Sequence, residues 1–303
     1  MTSRTLFRGI FWTLIALALV FHVAGGWFFS SELIDDAFVP DPDSYVVTSG
    51  DYELEEIKYQ SPLGEMDAWY LPAEGTTWVI HVHGLGATPA EAEPLFGPIQ
   101  DAGYQQLSIT YRNDESTPLD PSEYYQYGIS EWEDISGAVD HALANGAENV
   151  ILSCFSTGCA HTMSFMFNRS LDSVSGALMD SPNIDMGETV DYAATQRELP
   201  LIPVTVPPTL SAMAKFITSL RIGVNWKAID YVNKADLIIK RPVLIHHGTE
   251  DLKVPISVSI ELAEARPDAV RLISVEGAGH VDSYDVDLER YLEEVLRFLD
   301  RVG

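Results

Sequence analysis

The run Asn149-Val150-Ile151-Leu152-Ser153-Cys154-Phe155-Ser156-Thr157-Gly158-Cys159-Ala160-His161 leaves a chain few ways to fold. A short apolar, β-branched stretch, Val150 to Leu152, stops just before a serine. A helix-compatible segment, Ala160 to Phe167, starts a few residues later. Strand, tight turn and helix in so short a span predict a βα unit, which belongs in a largely parallel sheet. Such a turn lifts the Ser156 hydroxyl clear of the sheet, where a base can reach it. It needs small residues two before and two after, because backbone and side chain crowd there. Gly158 meets that need; Cys154 stands where glycine is commonest. The same pattern also occurs by chance as an ordinary turn with a buried serine, so the rest of the chain has to decide.

The rest of the chain repeats the alternation. Strands are predicted at Glu53–Tyr59, Met66–Leu71, Trp78–Val82, Gln106–Thr110, Val150–Ser153, Gly176–Met179, Pro242–His246 and Val270–Val275. Helices are predicted at Pro89–Asp101, Ser122–Asn145, Thr157–Asn168 and Asp287–Val302. The pattern predicts an α/β fold, a mostly parallel central sheet with helices on both faces. Residues 183–241 break it. They are too long for one crossover, contain Pro200, Pro203, Pro207 and Pro208, and offer helices at Thr209–Leu220 and around Trp226–Val232. They read as a helical cap inserted between two strands.

Gly9 to Phe29 contains no Asp, Glu, Lys or Arg. As a helix these residues reach roughly 30 Å, the thickness of the hydrocarbon layer. Arg4 and Arg8 precede the stretch; Glu32, Asp35 and Asp36 follow it. The positive-inside rule then puts 1–8 in the cytoplasm, 9–29 across the plasma membrane as a single-pass signal anchor, and the bulk of the chain outside. Trp27, Phe28 and Phe29 form an outer aromatic belt, and His22 lies inside the span near its outer end. The rival is a signal peptide cleaved near Ala24-Gly25-Gly26, but the stretch outruns an ordinary h-region and no clear A-x-A site closes it. Residues 30–50, acidic and carrying Pro40 and Pro42, read as a stalk, and 51–303 as the folded domain.

A net charge of -27 repels phosphate backbones and argues against a nucleic-acid partner. The two cysteines, Cys154 and Cys159, flank the serine turn. A bridge between a strand end and the next helix is expected to be strained, so both read as small buried hydrophobes.

Four motifs, each at a predicted strand end, carry a family resemblance: His83-Gly84-Leu85; the turn at Ser156; His247-Gly248-Thr249-Glu250-Asp251-Leu252-Lys253-Val254-Pro255; and Gly279-His280. Over roughly 51–303 the chain resembles the α/β-hydrolase superfamily, whose order of serine, acid and histidine it keeps. The resemblance implies Ser156 as nucleophile, His280 as its base and Asp251 as the acid that orients the histidine. It also implies an oxyanion hole from the backbone N–H groups of Leu85 and Thr157. Asp180, also at a strand end, is the alternative acid. His83 is expected to hold the Gly84 loop. His81, His246 and His247 are expected as core histidines, and Glu131, Trp132 and Asp134 as packing or surface. His81 and His83 share a strand face but lack a third ligand, so no metal is expected, and the chemistry calls for no cofactor.

A serine, histidine and aspartate so arranged serve acyl transfer to water. The favoured reading is an esterase or lipase acting on a small-molecule ester or lipid-like substrate. A peptidase or amidase on the same triad is the alternative, and a non-catalytic binding module of the same fold is the reading from another class. Residues 200–241 carry six basic and two acidic residues in this acidic chain, with an apolar run from Leu201 to Leu220. Two readings follow: a cap that meets the membrane, with Lys215 and Arg221 on anionic headgroups, or a lid whose apolar face lines a pocket.

Overall fold

The computed structural model of the chain describes residues 3–42, 50, 52–199 and 203–303. The chain begins with α1 (Ser3–Ala37), β1 (Glu55–Ser61), β2 (Gly64–Leu71), β3 (Thr77–Val82), α2 (Glu93–Asp101), β4 (Gln105–Ile109), α3 (Trp132–Ala144) and β5 (Asn149–Phe155). It continues with α4 (Gly158–Asn168), β6 (Val174–Asp180), α5 (Met186–Thr195), α6 (Pro208–Ile222), α7 (Ala235–Ile238) and β7 (Val243–Gly248). It closes with α8 (Ser257–Ala265), β8 (Val270–Val275), α9 (Ser283–Val286) and α10 (Leu288–Val302). Two compact units emerge: Met1–Phe38 with Val190–Asn225, and Val39–Thr189 with Trp226–Gly303.

The larger unit holds one sheet in the order β1-β2-β4-β3-β5-β6-β7-β8. β1 pairs with β2, and β2 with β4, antiparallel; every other neighbour is parallel. The eight strands predicted from the sequence are all present, and the α/β architecture is as expected. β3 and β7 are buried at every position, which requires cover on both faces. α2 and α10 supply one layer, setting Phe96, Ile99, Phe298 and Leu299 against Val79, Ile151 and Leu244. α3 and α4 pack on each other and on β3 and β5. In a parallel sheet the carboxyl ends of the strands lie on one edge. β3, β5, β7 and β8 therefore deliver the loops after Val82, Phe155, Gly248 and Val275 to the same edge.

Two expectations for this unit are corrected. The helix expected over 122–145 starts only at Trp132. Glu131 turns its carboxylate back to accept the N–H groups of Gln126 and Gly128, and the backbone is left-handed at Tyr127 and Gly128, which no helix accommodates. Around 226–232 there is no α-helix; Asp230 bridges to Asp185 instead, and a short 3-10 turn spans Val232–Lys234.

The smaller unit is built on α1, which runs past the expected span and through Ser30–Ala37, part of the expected stalk. Packing extends it: Ser30 and Ile34 are buried, and Glu32 and Asp36 both meet Arg197 at 3.2 Å. The rest of the expected stalk includes 43–49, outside the described residues. α6 lies along α1. Leu210 sits against Gly25, and Met213 and Ile217 against Gly26; Phe29 packs on Leu199, Val206 and Leu210.

Candidate active site

Ser156 occupies the turn between β5 and α4 with φ of 46°, a left-handed conformation that costs a non-glycine residue of the order of 1–3 kcal/mol. Backbone hydrogen bonds hold it there. Its N–H donates to Asp180 O at 2.9 Å, and its carbonyl accepts from Asn183 N at 3.0 Å. The turn drives α4 against the β3 loop so closely that a Cβ on Gly158 would meet the carbonyl oxygens of Val82 and His83 at 2.4 Å. Cys154 and Cys159 are corrected here. They form a disulfide, because the turn folds the first turn of α4 back until their Cα atoms lie 5.0 Å apart, inside the ordinary range for such bonds.

His280, after β8, places Nε2 2.8 Å from Ser156 Oγ. Its Nδ1 lies 2.8 Å from Asp251 Oδ2. Asp251 is buried, and its other oxygen accepts the N–H groups of Lys253 and Val254 at 2.8 and 2.9 Å. Burial alone would raise this carboxyl's pKa; hydrogen bonds from His247 and His280 outweigh it and hold the group well below the usual range. The structure thus brings together Ser156, His280 and Asp251 from three different strand ends. Asp180 is directed elsewhere. Its carboxylate accepts from Ser283 and Ser181, and burial pushes its pKa up to about 7.

The loop after β3 faces Ser156. Among the described residues neither the Leu85 nor the Thr157 N–H meets a hydrogen-bond acceptor. The neighbouring Gly84 is pinned on both sides. Its N–H donates to Glu91 Oε2 at 2.7 Å, and its carbonyl accepts from His83 Nδ1 and the Tyr111 hydroxyl. His83 Nε2 faces Asp114 Oδ2 at 2.9 Å. Both ring nitrogens therefore face oxygen atoms, an arrangement that favours charge on the buried imidazole. Burial opposes that charge, but Asp114 prevails and raises the pKa. Tyr111 stacks on the His83 ring at 4.5 Å.

Glu91 and Asp114 were not singled out in the sequence. Glu91 is visible in hindsight as an acid in the first helical turn after the His-Gly pair, within reach of an exposed loop N–H. Asp114 carries no local signal. Glu131 and Asp134, expected as packing or surface, are fully buried, and Asp134 grips the buried Arg112 side chain at 2.7 Å. His81 bonds Gln106 in the core, and His247 bonds Ser259. Among the described residues no cluster of three or more His, Cys, Asp or Glu is placed to hold a metal.

Similarity to solved structures bears on the fold. An esterase of Pyrococcus furiosus superposes with a TM-score of 0.68 at 20% identity, over 88% of this chain and 99% of that one. The chain has the α/β-hydrolase fold. An acylaminoacyl peptidase of Pyrococcus horikoshii shares the hydrolase fold at a TM-score of 0.62 and 16% identity, over 83% of this chain and 42% of that one. No family model matches the sequence. Alpha/beta hydrolase domain-containing protein 17C of Xenopus tropicalis is 40% identical over 119 residues, 39% of this chain and 34% of that protein. Its Homo sapiens namesake is 38% identical over 119 residues. The chain spans about a third of the length of the curated relatives it matches.

Proposed function

We propose that the protein is a membrane-anchored serine hydrolase that cleaves carboxylic esters through an acyl-enzyme on Ser156. The observation that carries the reading is the continuous relay from Ser156 Oγ through His280 to Asp251, both links 2.8 Å long, ending on a serine held in a left-handed turn. A serine hydroxyl is too weakly acidic to attack unaided. In the proposed reaction His280 Nε2 accepts the Oγ proton as Oγ bonds to the substrate carbonyl carbon, and Asp251 stabilises the resulting imidazolium. The Leu85 and Thr157 N–H groups receive the oxyanion, a role worth about 3 kcal/mol for one such donor. The C–O bond to the alcohol then breaks, His280 returns the proton to the alcohol, and the acyl group stays on Oγ. Water, deprotonated by the same imidazole, attacks the acyl carbon and releases the carboxylic acid and free Ser156.

Several features support the anchor. α1 is apolar enough to cross a membrane from Phe7 to Ala37, and Leu14, Leu17, Leu19 and Val20 are exposed along it. The Cys154–Cys159 bridge suits an oxidising compartment, in keeping with a catalytic domain outside the cytoplasm.

A fluorophosphonate probe tests the chemistry. Wild type should label at Ser156, and Ser156→Ala should not. Failure of the wild type to label, or equal labelling of the variant, would refute the assignment and favour a binding module. A panel of p-nitrophenyl esters against aminoacyl anilides then tests the substrate class. Esters should turn over at least tenfold faster, and preference for the anilides would convert the reading to an amidase.

A further inference from the structure

α6 meets α1 along the outer part of the apolar span. His22 Nε2 lies 2.9 Å from Thr209 Oγ1, and Ser30 Oγ lies 2.9 Å from Thr218 Oγ1. Between them Gly25 and Gly26 let Leu210, Met213 and Ile217 approach the α1 backbone. Small residues and paired hydroxyl or imidazole groups are how helices associate within lipid, where apolar burial offers no drive. The two helices run the same way, Thr209 beside His22 and Arg221 beside Trp27, Ser30 and Ser31. At ~1.5 Å per residue, His22 lies roughly 20 Å beyond Gly9 in a layer roughly 30 Å thick. The start of α6 is therefore level with the outer leaflet's acyl chains, and Arg221 with its boundary.

The opposite side of α6 carries Pro208, Ala212, Phe216 and Leu220, one residue per turn along a single stripe. All four are exposed; Phe216 is 58% and Leu220 71% accessible. No charged residue interrupts the stripe. Lys215 is turned from it and pairs with Asp191 at 2.5 Å, which also accepts from Ser211. One reading of the sequence sets Lys215 and Arg221 on anionic headgroups. Both have partners within the unit, and the apolar stripe, not the count of cations, marks the surface.

We propose that α6 lies in the outer leaflet beside α1, with Pro208, Ala212, Phe216 and Leu220 against lipid acyl chains. The protein then meets the bilayer through two helices, not one. The inference rests on the reading of α1 as a membrane anchor. What favours lipid over a protein partner is continuity: the stripe is at the depth of α1's own lipid-exposed face, on a helix bonded to it.

Full-length protein in phosphatidylcholine nanodiscs tests this, with single cysteines labelled by an environment-sensitive fluorophore without reductant, so that the native bridge stays closed. Phe216→Cys and Leu220→Cys report the stripe, Leu14→Cys the anchor and Glu264→Cys an exposed site on α8. Fluorophosphonate labelling of each variant checks that it is folded. Phe216 and Leu220 probes should be quenched severalfold more by doxyl-labelled lipid than the Glu264 probe, and shielded from iodide as the Leu14 probe is. Iodide quenching of the stripe with Leu14 shielded would overturn the inference and leave the anchor standing. Iodide quenching of Leu14 as well would overturn both. Protection of the stripe from iodide and lipid alike would mean that protein covers it, and would also overturn the inference.

Discussion

Asp251→Asn perturbs one atom and tests the whole relay. Asp251 Oδ1 is held by two backbone donors, Lys253 N and Val254 N, at 2.8 and 2.9 Å. An asparagine must keep its carbonyl oxygen there, so its amide nitrogen takes the place of Oδ2, 2.8 Å from His280 Nδ1. That amide donates. His280 must then accept at Nδ1 and carry its proton on Nε2, which points it at Ser156 Oγ as a donor and leaves no base for the hydroxyl. Loss through the wrong tautomer is about 10⁴-fold in related chemistry, or roughly 5 kcal/mol of barrier. The expected outcome at neutral pH is a fall of about 10⁴-fold in kcat for a p-nitrophenyl ester. Fluorophosphonate labelling should slow in step, while the unfolding midpoint stays close to wild type. Asp180→Asn is the control, since that carboxylate serves Ser181 and Ser283, and turnover should stay within about threefold. A variant Asp251→Asn that keeps a tenth of wild-type turnover, or an Asp180→Asn that loses as much as Asp251→Asn, would refute the reasoning.

Three further outcomes follow from burial and crowding. Gly158→Ala sets a Cβ 2.4 Å from two backbone oxygens that cannot yield, and should destabilise by about 3 kcal/mol in urea titration while displacing the His83–Gly84 loop and lowering turnover. Removing the bridge by Cys154→Ala with Cys159→Ala opens a loop of sequence separation 5 and should cost about 2 kcal/mol, read from urea midpoints with and without reductant. Asp180, with its folded pKa raised to about 7, binds its proton more tightly folded than unfolded. Wild-type stability should therefore fall as pH rises from about 4 to 7, and Asp180→Asn should gain on it over that window by up to about 4 kcal/mol, a difference independent of pH being the contrary result.

The strands were legible because each pairs an apolar or β-branched run with a punctuating turn, a signal local to the sequence. Ser156, Asp251 and His280 were legible for a related reason: each sits where such a run stops, and a parallel sheet delivers those stops to one edge. What the sequence hid depends on distant partners. Ser30–Ala37 looks like an acidic linker until Arg197, 165 residues on, meets Glu32. Residues 122–131 have helix-compatible composition, yet the carboxylate of Glu131 is engaged with the backbone of Gln126 and Gly128, and a propensity cannot express that. The Cys154–Cys159 bridge is hidden because a strand end followed by a helix gives no sign of a reversal, and it is the left-handed Ser156 between them that reverses the path.

That left-handed residue is one of three in the site. Ser181, after β6, has φ of 46°, and Val281, next to His280, has φ of 58°, a conformation especially unfavourable for a β-branched side chain. The three are laced together. Ser156 N bonds Asp180 O, Ser181 N bonds His246 O, and Val281 N donates to Ser181 Oγ at 3.0 Å. The Ser181 hydroxyl in turn donates to Asp180 Oδ1. A single buried hydroxyl thus ties the strained residue beside His280 to the strand end beside Ser156. Ser181→Ala leaves the Val281 N–H buried and unpaired, which should cost about 1–3 kcal/mol of stability and free Val281 to relax toward negative φ, carrying His280 with it. Because Ser181 is fully buried and reaches His280 through Val281, a positioning role predicts a fall in kcat of about tenfold with KM little changed, and Ser181→Thr, which keeps the hydroxyl, should restore most of it. A loss of stability with kcat unchanged would show that the Val281 turn is held by its surroundings without this bond, and that His280 owes its position to Asp251 alone.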